Sequence, residues 1–369
     1  MNITLQNKNL LSILSSVKGV VPSRPTFPTQ SMVLISPSDN GCFFYTQGPE
    51  AQVRCFSEEL SIEKPEEKLI SVSKIFEISR NFPEDSNISL LFNGDSVSVS
   101  CEGGKYQLKS LSAEEFPLMD SPDEKDVIKI AERDLKYLLE KTDFCMASQD
   151  PRHYLNGLFF SLNDSELCAV ATDSHRLALS SLKVSSKAKT EGILPREIVS
   201  EIKRLLSDSK DIAEVSISGQ KIVVSLQNIQ ISAKGLNGQF PDYKKVIPKE
   251  FLVEIVLDRQ QFLATLQRAS AISASSLLDE GAHVSLAFSN KELLVKSSNM
   301  DGEEANIKQS VDYNGDNFEI SFNSKYLQDV MKTLDTEKIR LQMRDASSGT
   351  RIIGEGSGSE EYIVMPLRL

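Results

Sequence analysis

The sequence contains no tryptophan, only three histidines and five cysteines. The cysteines are odd in number and scattered, and none forms a CxxC pair, so neither a disulfide framework nor a zinc site is expected. The chain lacks the apolar run of about 18 residues that a membrane helix needs. It also starts without the basic-then-apolar pattern of a signal peptide. These absences predict a cytoplasmic protein that does not bind a membrane. Its cysteines are expected to be buried free thiols, in particular Cys42, Cys55 and Cys168.

Signals of catalysis are equally scarce. His153, His175 and His283 show no metal-binding spacing, and the sequence has no glycine-rich phosphate loop. One run, 172–176 (TDSHR), places a carboxylate, a hydroxyl and an imidazole side by side. A hydrolase triad, however, is assembled from distant positions around an oriented base. We therefore expect no enzyme activity, no cofactor and no metal.

What the sequence does contain is one pattern three times. An alternating apolar strand is followed at once by an amphipathic helix near residues 3, 128 and 255. The apolar positions are Ile3, Leu5, Leu10 and Leu14; Ile128, Ile130, Leu135 and Leu139; and Ile255, Leu257, Phe262 and Leu266. A second strand and helix follow in each copy, at 69–79, 193–206 and 320–334. The pattern predicts three domains of similar structure.

Turn signals support the triplication. Asn93-Gly-Asp and Ser218-Gly-Gln interrupt alternating apolar runs, as in β-hairpins. Two copies close alike, with Phe116-Pro and Phe240-Pro. Unrelated α+β domains can share such a pattern by chance, but the matching order and spacing favour a true repeat. We predict an α+β chain of three similar domains, at 1–122, 123–248 and 249–369.

The charge pattern allows two interpretations. A net charge of −11 taken alone argues against nucleic acid, whose phosphates attract cations. Basic residues nevertheless lie beside the apolar stripe of the predicted helices: Lys8, Lys74, Arg80, Arg133, Lys136, Arg196, Lys203, Arg204, Lys325 and Lys332. The acids concentrate in loops and at strand ends. Either one face of the molecule is basic, or these residues are the ordinary solvated sides of helices.

Four segments resemble the bacterial sliding clamps, the beta subunits of DNA polymerase III. Segments 150–157 (DPRHYLNG) and 171–178 (ATDSHRLA) are similar to the central domain of that family. Segment 235–243 (GLNGQFPDY) resembles the link between the second and third domains, and 362–369 (YIVMPLRL) the C-terminal signature. Ser174 departs from the pattern, because the family usually has glycine there, and a serine narrows the backbone conformations available.

The resemblance implies a non-enzymatic processivity factor that is a head-to-tail homodimer. Its six domains would form a ring, with helices lining a hole for DNA and antiparallel sheets outside. The implied partners are double-stranded DNA of any sequence, the polymerase III alpha subunit, the clamp loader complex through its delta subunit, and other polymerases and repair proteins that carry clamp-binding peptides. A monomeric adaptor that binds such peptides without encircling DNA remains the alternative, and an enzyme is a distant third.

The resemblance also implies two sets of binding residues. The partner-peptide cleft would comprise Leu155, Thr172, Ser174, His175, Arg176, Leu177, Pro241, Val246, Ile363, Val364, Met365 and Pro366, with Asn323 and Tyr326 at its rim. Taken singly, Leu155 and Leu177 are more consistent with plain core, and only the combination of residues indicates a cleft. Residues implied to contact DNA are Arg24, Gln149, His153 and Tyr154, to which the helix pattern adds Arg80, Arg196, Lys203 and Lys332. Deleting residues 364–369 is predicted to abolish partner binding and to leave the dimer.

The dimer contact is expected to join two sheet edges, because a specific partner protects an otherwise exposed edge strand. Tyr106 and Leu108 are the candidates in the first domain, and Ile272 is their expected counterpart in the third. Glu303 and Glu304 are placed to form ion pairs with Lys74 or Lys105. The run 270–278 (SAISASSLL) departs from the family pattern.

Overall fold

The computed structural model describes residues 1–119, 127–186, 188–272, 283–299 and 301–367. The chain forms two compact units. The first comprises Met1–Lys136, Asn163–Ser165 and Val184–Leu236, and the second comprises Tyr137–Leu162, Glu166–Lys183 and Asn237–Leu369. The middle third of the chain thus contributes to both units. Most of the run 270–278, the last two residues of the C-terminal signature and the predicted border at residue 122 lie outside the described residues.

Each third of the chain has two helices, each directly preceded by a strand, and the first third has one more strand between its helices than the other two. The first third contains β1 (Asn2–Gln6), α1 (Asn7–Val17), β2 (Met32–Ser38), β3 (Gly41–Gln47), β4 (Ala51–Ser57), β5 (Ser61–Glu63), β6 (Lys68–Ser71), α2 (Val72–Arg80), β7 (Asn87–Asn93), β8 (Ser96–Cys101) and β9 (Gly104–Ser112). The middle third contains β10 (Ile128–Ala131), α3 (Glu132–Glu140), β11 (Gly157–Asn163), β12 (Glu166–Thr172), β13 (Arg176–Lys183), β14 (Thr190–Pro195), α4 (Arg196–Leu205), β15 (Ile212–Ser218), β16 (Lys221–Ser225) and β17 (Ile229–Lys234).

The last third contains β18 (Val253–Asp258), α5 (Arg259–Ser270), β19 (His283–Ser289), β20 (Glu292–Ser298), β21 (Glu304–Ser310), β22 (Phe318–Asn323), α6 (Ser324–Thr333), β23 (Lys338–Met343), β24 (Thr350–Gly354) and β25 (Glu360–Val364). Short 3-10 turns occupy Lys18–Val20, Pro28–Ser31, Ala113–Glu115, Asp143–Cys145, His153–Leu155 and Tyr243–Lys245. Among the described helices, none is long and apolar enough to span a membrane.

The repeated strand and helix are confirmed in all three copies, as β1 with α1, β10 with α3 and β18 with α5. All twelve apolar side chains that define the pattern are at most 5% exposed. Burying one such Leu, Ile or Phe side chain stabilises the fold by roughly 1.5–3 kcal/mol. The second strand and helix are also present, as β6 with α2, β14 with α4 and β22 with α6.

The predicted hairpins are confirmed as β7 with β8 and β15 with β16. The turn glycines Gly94 and Gly219 have φ of 56° and 59°. These values lie in the left-handed region that a two-residue hairpin turn requires and that glycine adopts without a steric penalty.

One sheet of the first unit joins the first and middle thirds of the chain. Its strands run β10-β15-β16-β17-β4-β3-β2-β6-β9-β8-β7-β1-β5. The junction is the antiparallel pairing of β17 with β4, in register from Ile229 opposite Cys55 to Ala233 opposite Ala51. Two domains therefore share a continuous backbone ladder instead of meeting only through side chains.

The second unit is also joined by a strand pairing between two thirds of the chain. Its strands β11-β12-β13-β25-β24-β23-β18 form one sheet, and β21-β20-β19-β22 form another. Here β13 of the middle third pairs with β25 of the last third, and the register places Leu177 opposite Ile363. This ladder brings residues almost 200 positions apart to the same place, which positions the candidate site described below.

Helix α4 contains one feature that its apolar pattern does not indicate. Glu201 is buried beside Ile198 and Ile202. Its carboxylate accepts hydrogen bonds from Arg204 Nε at 2.8 Å and Nη2 at 2.6 Å. Arg204 Nη2 also lies 3.2 Å from the backbone oxygen of Ser16 at the end of α1. The buried charge is thus paired, as buried charges must be. Leu205 on the same helix is only half-buried.

The five cysteines are free thiols, as predicted. Burial raises the pKa of Cys42 to about 12 and that of Cys55 to about 11. Cys168 is half-buried instead of buried, and desolvation raises its pKa to about 11. Because the thiolate is the reactive form, these three cysteines are chemically inert near neutral pH.

Candidate functional site

The run 172–176 forms the turn between β12 and β13. The Thr172 hydroxyl donates to the Arg176 backbone oxygen at 2.7 Å and accepts from the Ser174 backbone N–H at 3.1 Å. Asp173 Oδ1 accepts from the backbone N–H groups of His175 and Arg176 at 3.0 and 2.9 Å. The Thr172 hydroxyl and the Asp173 carboxylate therefore stabilise the conformation of the turn.

Ser174 adopts a left-handed backbone conformation, with φ of 76°. A residue with a Cβ is disfavoured there by roughly 1–2 kcal/mol, whereas glycine is not. The exposed Ser174 hydroxyl is therefore presented at a strained position where the resembling family usually has glycine. The hydrogen bond from the Ser174 backbone N–H to the Thr172 hydroxyl offsets part of that strain.

Arg176 is the hub of the site. Its Nε donates to Asp173 Oδ2 at 2.9 Å, Nη1 to Asp329 Oδ2 at 2.7 Å and Nη2 to the Phe144 backbone oxygen at 2.9 Å. The guanidinium carbon also lies 4.6 Å from the Tyr326 ring centroid. With only 10% of its side chain exposed, this cation links the turn, the 3-10 turn Asp143–Cys145 and helix α6.

The chain beyond β25 is anchored beside the turn. Met365 N–H donates to the His175 backbone oxygen at 2.8 Å, and Leu367 N–H donates to the Ser321 backbone oxygen at 2.8 Å. Pro366 lies between these two bonds. The His175 ring stacks on Tyr326, with centroids 6.2 Å apart and planes at 24°. The turn, the C-terminal segment and the start of α6 thus form one assembled surface, which we call the cleft.

Burial divides the predicted cleft residues into two classes. Leu155, Leu177, Ile363 and Val364 are at most 3% exposed, so they are core residues, which is the alternative that the sequence left open for Leu155 and Leu177. Their burial leaves little of these four side chains at the surface. Val246 is 44% exposed and Met365 is half-buried, so these two present accessible apolar surface.

The remaining predicted cleft residues have more limited roles. Asn323 is buried and caps α6, where its Oδ1 accepts from the Lys325 backbone N–H at 3.0 Å. Pro241 is exposed and follows Phe240, whose ring stacks on Phe159 at 4.8 Å. Among the described residues, the hydrogen bonds, ion pairs and ring contacts of Arg176 involve neither Leu155 nor Pro241.

A surface pocket of about 840 Å³ adjoins Met365. Its lining residues are Asp242, Lys244, Lys245, Val246, Ile247, Pro248, Lys249, Glu250, Arg344, Ser348, Gly349 and Met365. Sequence reasoning missed Asp329 and Arg344. Asp329 follows Tyr326 by one helical turn on α6, a spacing that would have indicated a shared face, whereas Arg344 carries no comparable signal.

The loop containing Gln149, His153 and Tyr154 is closed by its own side chains. Asn156 Oδ1 accepts from Asp150 N–H at 2.9 Å, and Asn156 Nδ2 donates to Asp150 O at 2.8 Å. The Arg152 guanidinium hydrogen-bonds the Asp150 carboxylate and lowers its pKa to about 2. Gln149 and His153 are exposed, so the closed loop presents both to solvent.

The other predicted DNA-contacting residues differ in accessibility. Arg24, Arg80 and Lys332 are exposed, whereas Arg196 and Lys203 are half-buried. Arg80 also lies 3.6 Å from Glu77. Exposed cations can reach a phosphate without a change of fold, and half-buried ones contact it only with part of the side chain.

Predicted dimer residues lie on a strand segment with one open side and on an edge strand. Within the described residues, β9 pairs with β8 along 104–109 and with β6 only at 110–112. Tyr106 and Leu108 therefore lie on a segment with one open side, where Tyr106 is 42% exposed.

Strand β21, which begins at Glu304, is the edge strand of its own sheet. Glu303 Oε2 accepts from Asn299 Nδ2 at 2.6 Å, and the same amide group donates to the Ile272 backbone oxygen at 3.3 Å. Lys74 is exposed on α2.

Comparison with known proteins gives matches along the whole chain. The N-terminal, central and C-terminal domain models of the DNA polymerase III beta subunit match residues 1–120, 129–242 and 244–368. The beta sliding clamps of Pseudomonas putida and Escherichia coli K12 are 31% and 30% identical to the chain, and each match covers 100% of both proteins. A crystal structure of the Pseudomonas aeruginosa polymerase III subunit beta superposes with a TM-score of 0.95 at 30% identity over 100% of both chains.

A second P. aeruginosa clamp structure, which is bound to griselimycin, superposes with a TM-score of 0.94 at 30% identity over 100% of both chains. The three-domain α+β fold and the function expected from the sequence are thereby confirmed. The chain belongs to the DNA polymerase III beta subunit family, the beta sliding clamps, which are non-catalytic processivity factors of DNA replication.

Proposed function

We propose that two copies of this chain close head to tail around duplex DNA and tether polymerases through the cleft. The three domains are proposed to span 1–122, 123–248 and 249–369. The observation that carries the proposal is the cleft itself, where the C-terminal segment is bonded to the 172–176 turn beside exposed Val246 and half-buried Met365. The proposed partners are the polymerase III alpha subunit, the clamp loader through its delta subunit, and other polymerases and repair proteins, all in the cytoplasm.

The cleft is suited to a short apolar peptide. Its polar groups are already engaged with one another through Arg176 and Thr172, so little reorganisation accompanies binding, which favours affinity. Val246 offers fixed apolar surface, and the flexible thioether of Met365 adapts to different side chains. This combination favours several partners that share an apolar segment over a single one.

Contact with DNA is proposed through Arg24, Gln149, His153 and Tyr154, with support from Arg80, Arg196, Lys203 and Lys332. Cations on phosphates carry no sequence information, so they permit sliding. Because the chain carries a net charge of −11, overall attraction to DNA is weak. Retention is therefore proposed to be topological, by closure of the ring.

Ring closure is proposed to pair the open side of β9 with β21 of a second copy. Lys105 and Lys109 flank Tyr106 on β9, whereas Glu303 and Glu304 stand at the start of β21. Opposite charges on two edges set the register of pairing and disfavour like edges. The exposed Lys74 would add a further cation to the β9 side.

Loading on two DNA topologies tests the ring. The protein is loaded by its cognate loader and ATP onto nicked circular plasmid, free protein is removed by gel filtration, and half of the sample is linearised. We expect retention on circles and loss from linear ends. Equal retention on both forms would show ordinary surface binding, and absence from both with intact peptide binding would favour the monomeric adaptor.

Tyr106→Glu is expected to weaken dimerisation by about 2 kcal/mol, a typical effect for an aromatic anchor of an interface. The added carboxylate would face Glu303 and Glu304, and the aromatic contact would be lost. Sedimentation velocity over a dilution series measures the effect.

Leu91→Glu is the matched control, because Leu91 is 52% exposed and lies on β7 between β1 and β8. An unchanged dimer in Tyr106→Glu would exclude β9 as the interface. Because Tyr106 also meets Phe82 edge to face at 6.1 Å, thermal unfolding of both variants is compared to confirm that the fold is retained.

A further inference from the structure

The pocket beside the cleft is cationic in an acidic protein. Four cations line it, and two carboxylates, Asp242 and Glu250, accompany them. The whole chain, in contrast, carries a net charge of −11. We call the surface formed by Lys244, Lys245, Lys249 and Arg344 together with Val246 and Met365 the basic pocket. A local positive excess against a negative background favours anionic ligands at this position.

The cations of the basic pocket are accessible. The side chains of Lys245 and Arg344 are 82% and 63% exposed, and Lys244 and Lys249 are exposed as well. Lys245 lies 3.1 Å from Asp242 and Arg344 lies 3.8 Å from Asp345. Such exposed pairs are weak, so their cations can exchange partners with an incoming carboxylate at low cost.

Apolar and cationic groups are interleaved in the basic pocket. The 3-10 turn Tyr243–Lys245 places two lysines directly before Val246, and Ile247 and Pro248 continue the lining. Met365 lines the basic pocket and bonds through its backbone to His175 of the cleft. The two surfaces are thus continuous. Apolar groups beside cations suit a peptide better than a phosphate backbone, which makes no use of an apolar wall.

We propose that the basic pocket is a subsite that selects partner peptides by acidic residues next to their apolar segment. This inference rests on the proposed function of the cleft. The apolar segment of the peptide occupies the cleft around Met365, and its flank enters the basic pocket. Partners with acidic flanks are then bound in preference to partners with neutral ones, and their association is faster at low salt.

Two short fluorescein-labelled peptides test the proposal on the full-length protein. They share a Leu-Leu-Phe centre and differ only in flanks of Glu or Gln, and affinity is measured by fluorescence anisotropy. The Glu peptide is expected to bind about tenfold more tightly at low ionic strength, as several exposed ion pairs together allow. The preference should approach unity near 1 M salt, where the Debye length is about 3 Å.

The triple variant Lys244→Gln, Lys249→Gln and Arg344→Gln is expected to lose this preference while its affinity for the Gln peptide stays unchanged. Lys338→Gln is the matched control, because Lys338 is exposed at the opposite end of β23 from Arg344. The same variants are titrated with a short duplex oligonucleotide, which probes the alternative occupant.

The outcomes separate failure of the proposed subsite from failure of the proposed function of the cleft. Equal affinity for both peptides in the native protein would overturn the subsite and leave the cleft intact. Weaker oligonucleotide binding by the triple variant, with an unchanged peptide preference, would assign the basic pocket to nucleic acid and also overturn the proposal. Failure of both peptides to bind the native protein would overturn the proposed function itself.

Discussion

Arg176→Ala is expected to lower the free energy of unfolding by about 3 kcal/mol, because removal of one partner of a buried ion pair leaves the other charge uncompensated. The variant would leave the carboxylates of Asp173 and Asp329 without the cation that both now contact at 2.9 and 2.7 Å. Urea-induced unfolding followed by tyrosine fluorescence measures the effect, since the chain has no tryptophan.

Arg340→Ala serves as the control. Arg340 pairs with Glu254 and Glu355, but its side chain is 32% exposed, so its loss should cost less than about 1 kcal/mol. Arg176→Lys provides a second comparison, because a lysine cannot reproduce the fork of donors that reaches Asp173, Asp329 and the Phe144 carbonyl together. Equal stability of Arg176→Ala and Arg340→Ala would show that the hub contributes no more than a surface pair.

Deletion of residues 365–369 is expected to abolish binding at the cleft and to leave the dimer intact. The deletion removes Met365 together with the backbone bonds to His175 and Ser321. It begins after Val364, because Val364 is fully buried and pairs with both Arg176 and Thr350. Fluorescence anisotropy with the Gln-flanked peptide reports binding, and sedimentation velocity reports the dimer.

Two point variants separate loss of the cleft from loss of the fold. Val246→Glu places a charge on accessible apolar surface beside Met365 and is expected to weaken binding of the Gln-flanked peptide at least tenfold, because the apolar segment of the peptide would desolvate the new carboxylate. Leu118→Glu alters a comparably exposed apolar residue, at 54% exposure, and should have no effect. Full affinity in the deletion variant would exclude the C-terminal segment from the binding site.

Local patterns explain what was predictable about the fold. In each of the three copies, apolar residues recur every second position along the strand and then about every 3.6 positions along the helix. Ile3, Ile128 and Ile255 are all buried, as that pattern requires. The hairpins were equally accessible because Gly94 and Gly219 mark their turns. The ladders between β17 and β4 and between β13 and β25 carry no comparable signature, since backbone groups pair irrespective of the side chains attached.

The site shows the same division. The 172–176 turn and the C-terminal signature were identified through their resemblance to the sliding clamps, and the structure brings them together. Exposure was not predictable, because an apolar residue such as Leu155 or Ile363 reads alike whether it lines a cleft or fills a core. Arg344 enters the basic pocket from a different part of the chain than Lys245, so only the folded chain places the two side by side.

The ladders that join neighbouring repeats have a consequence for sequence divergence. Hydrogen bonds of these joints, such as the one from the Lys234 backbone N–H to the Glu50 backbone oxygen, are made by main-chain atoms, which every amino acid except proline supplies in full. Substitutions can therefore accumulate along these joints while the attachment between repeats persists. The chain differs from the P. aeruginosa protein at roughly seven positions in ten, yet it superposes on it with a TM-score of 0.95. Side chains that point away from such a joint can therefore change during evolution, and they can acquire contacts with new partners while the joint is kept.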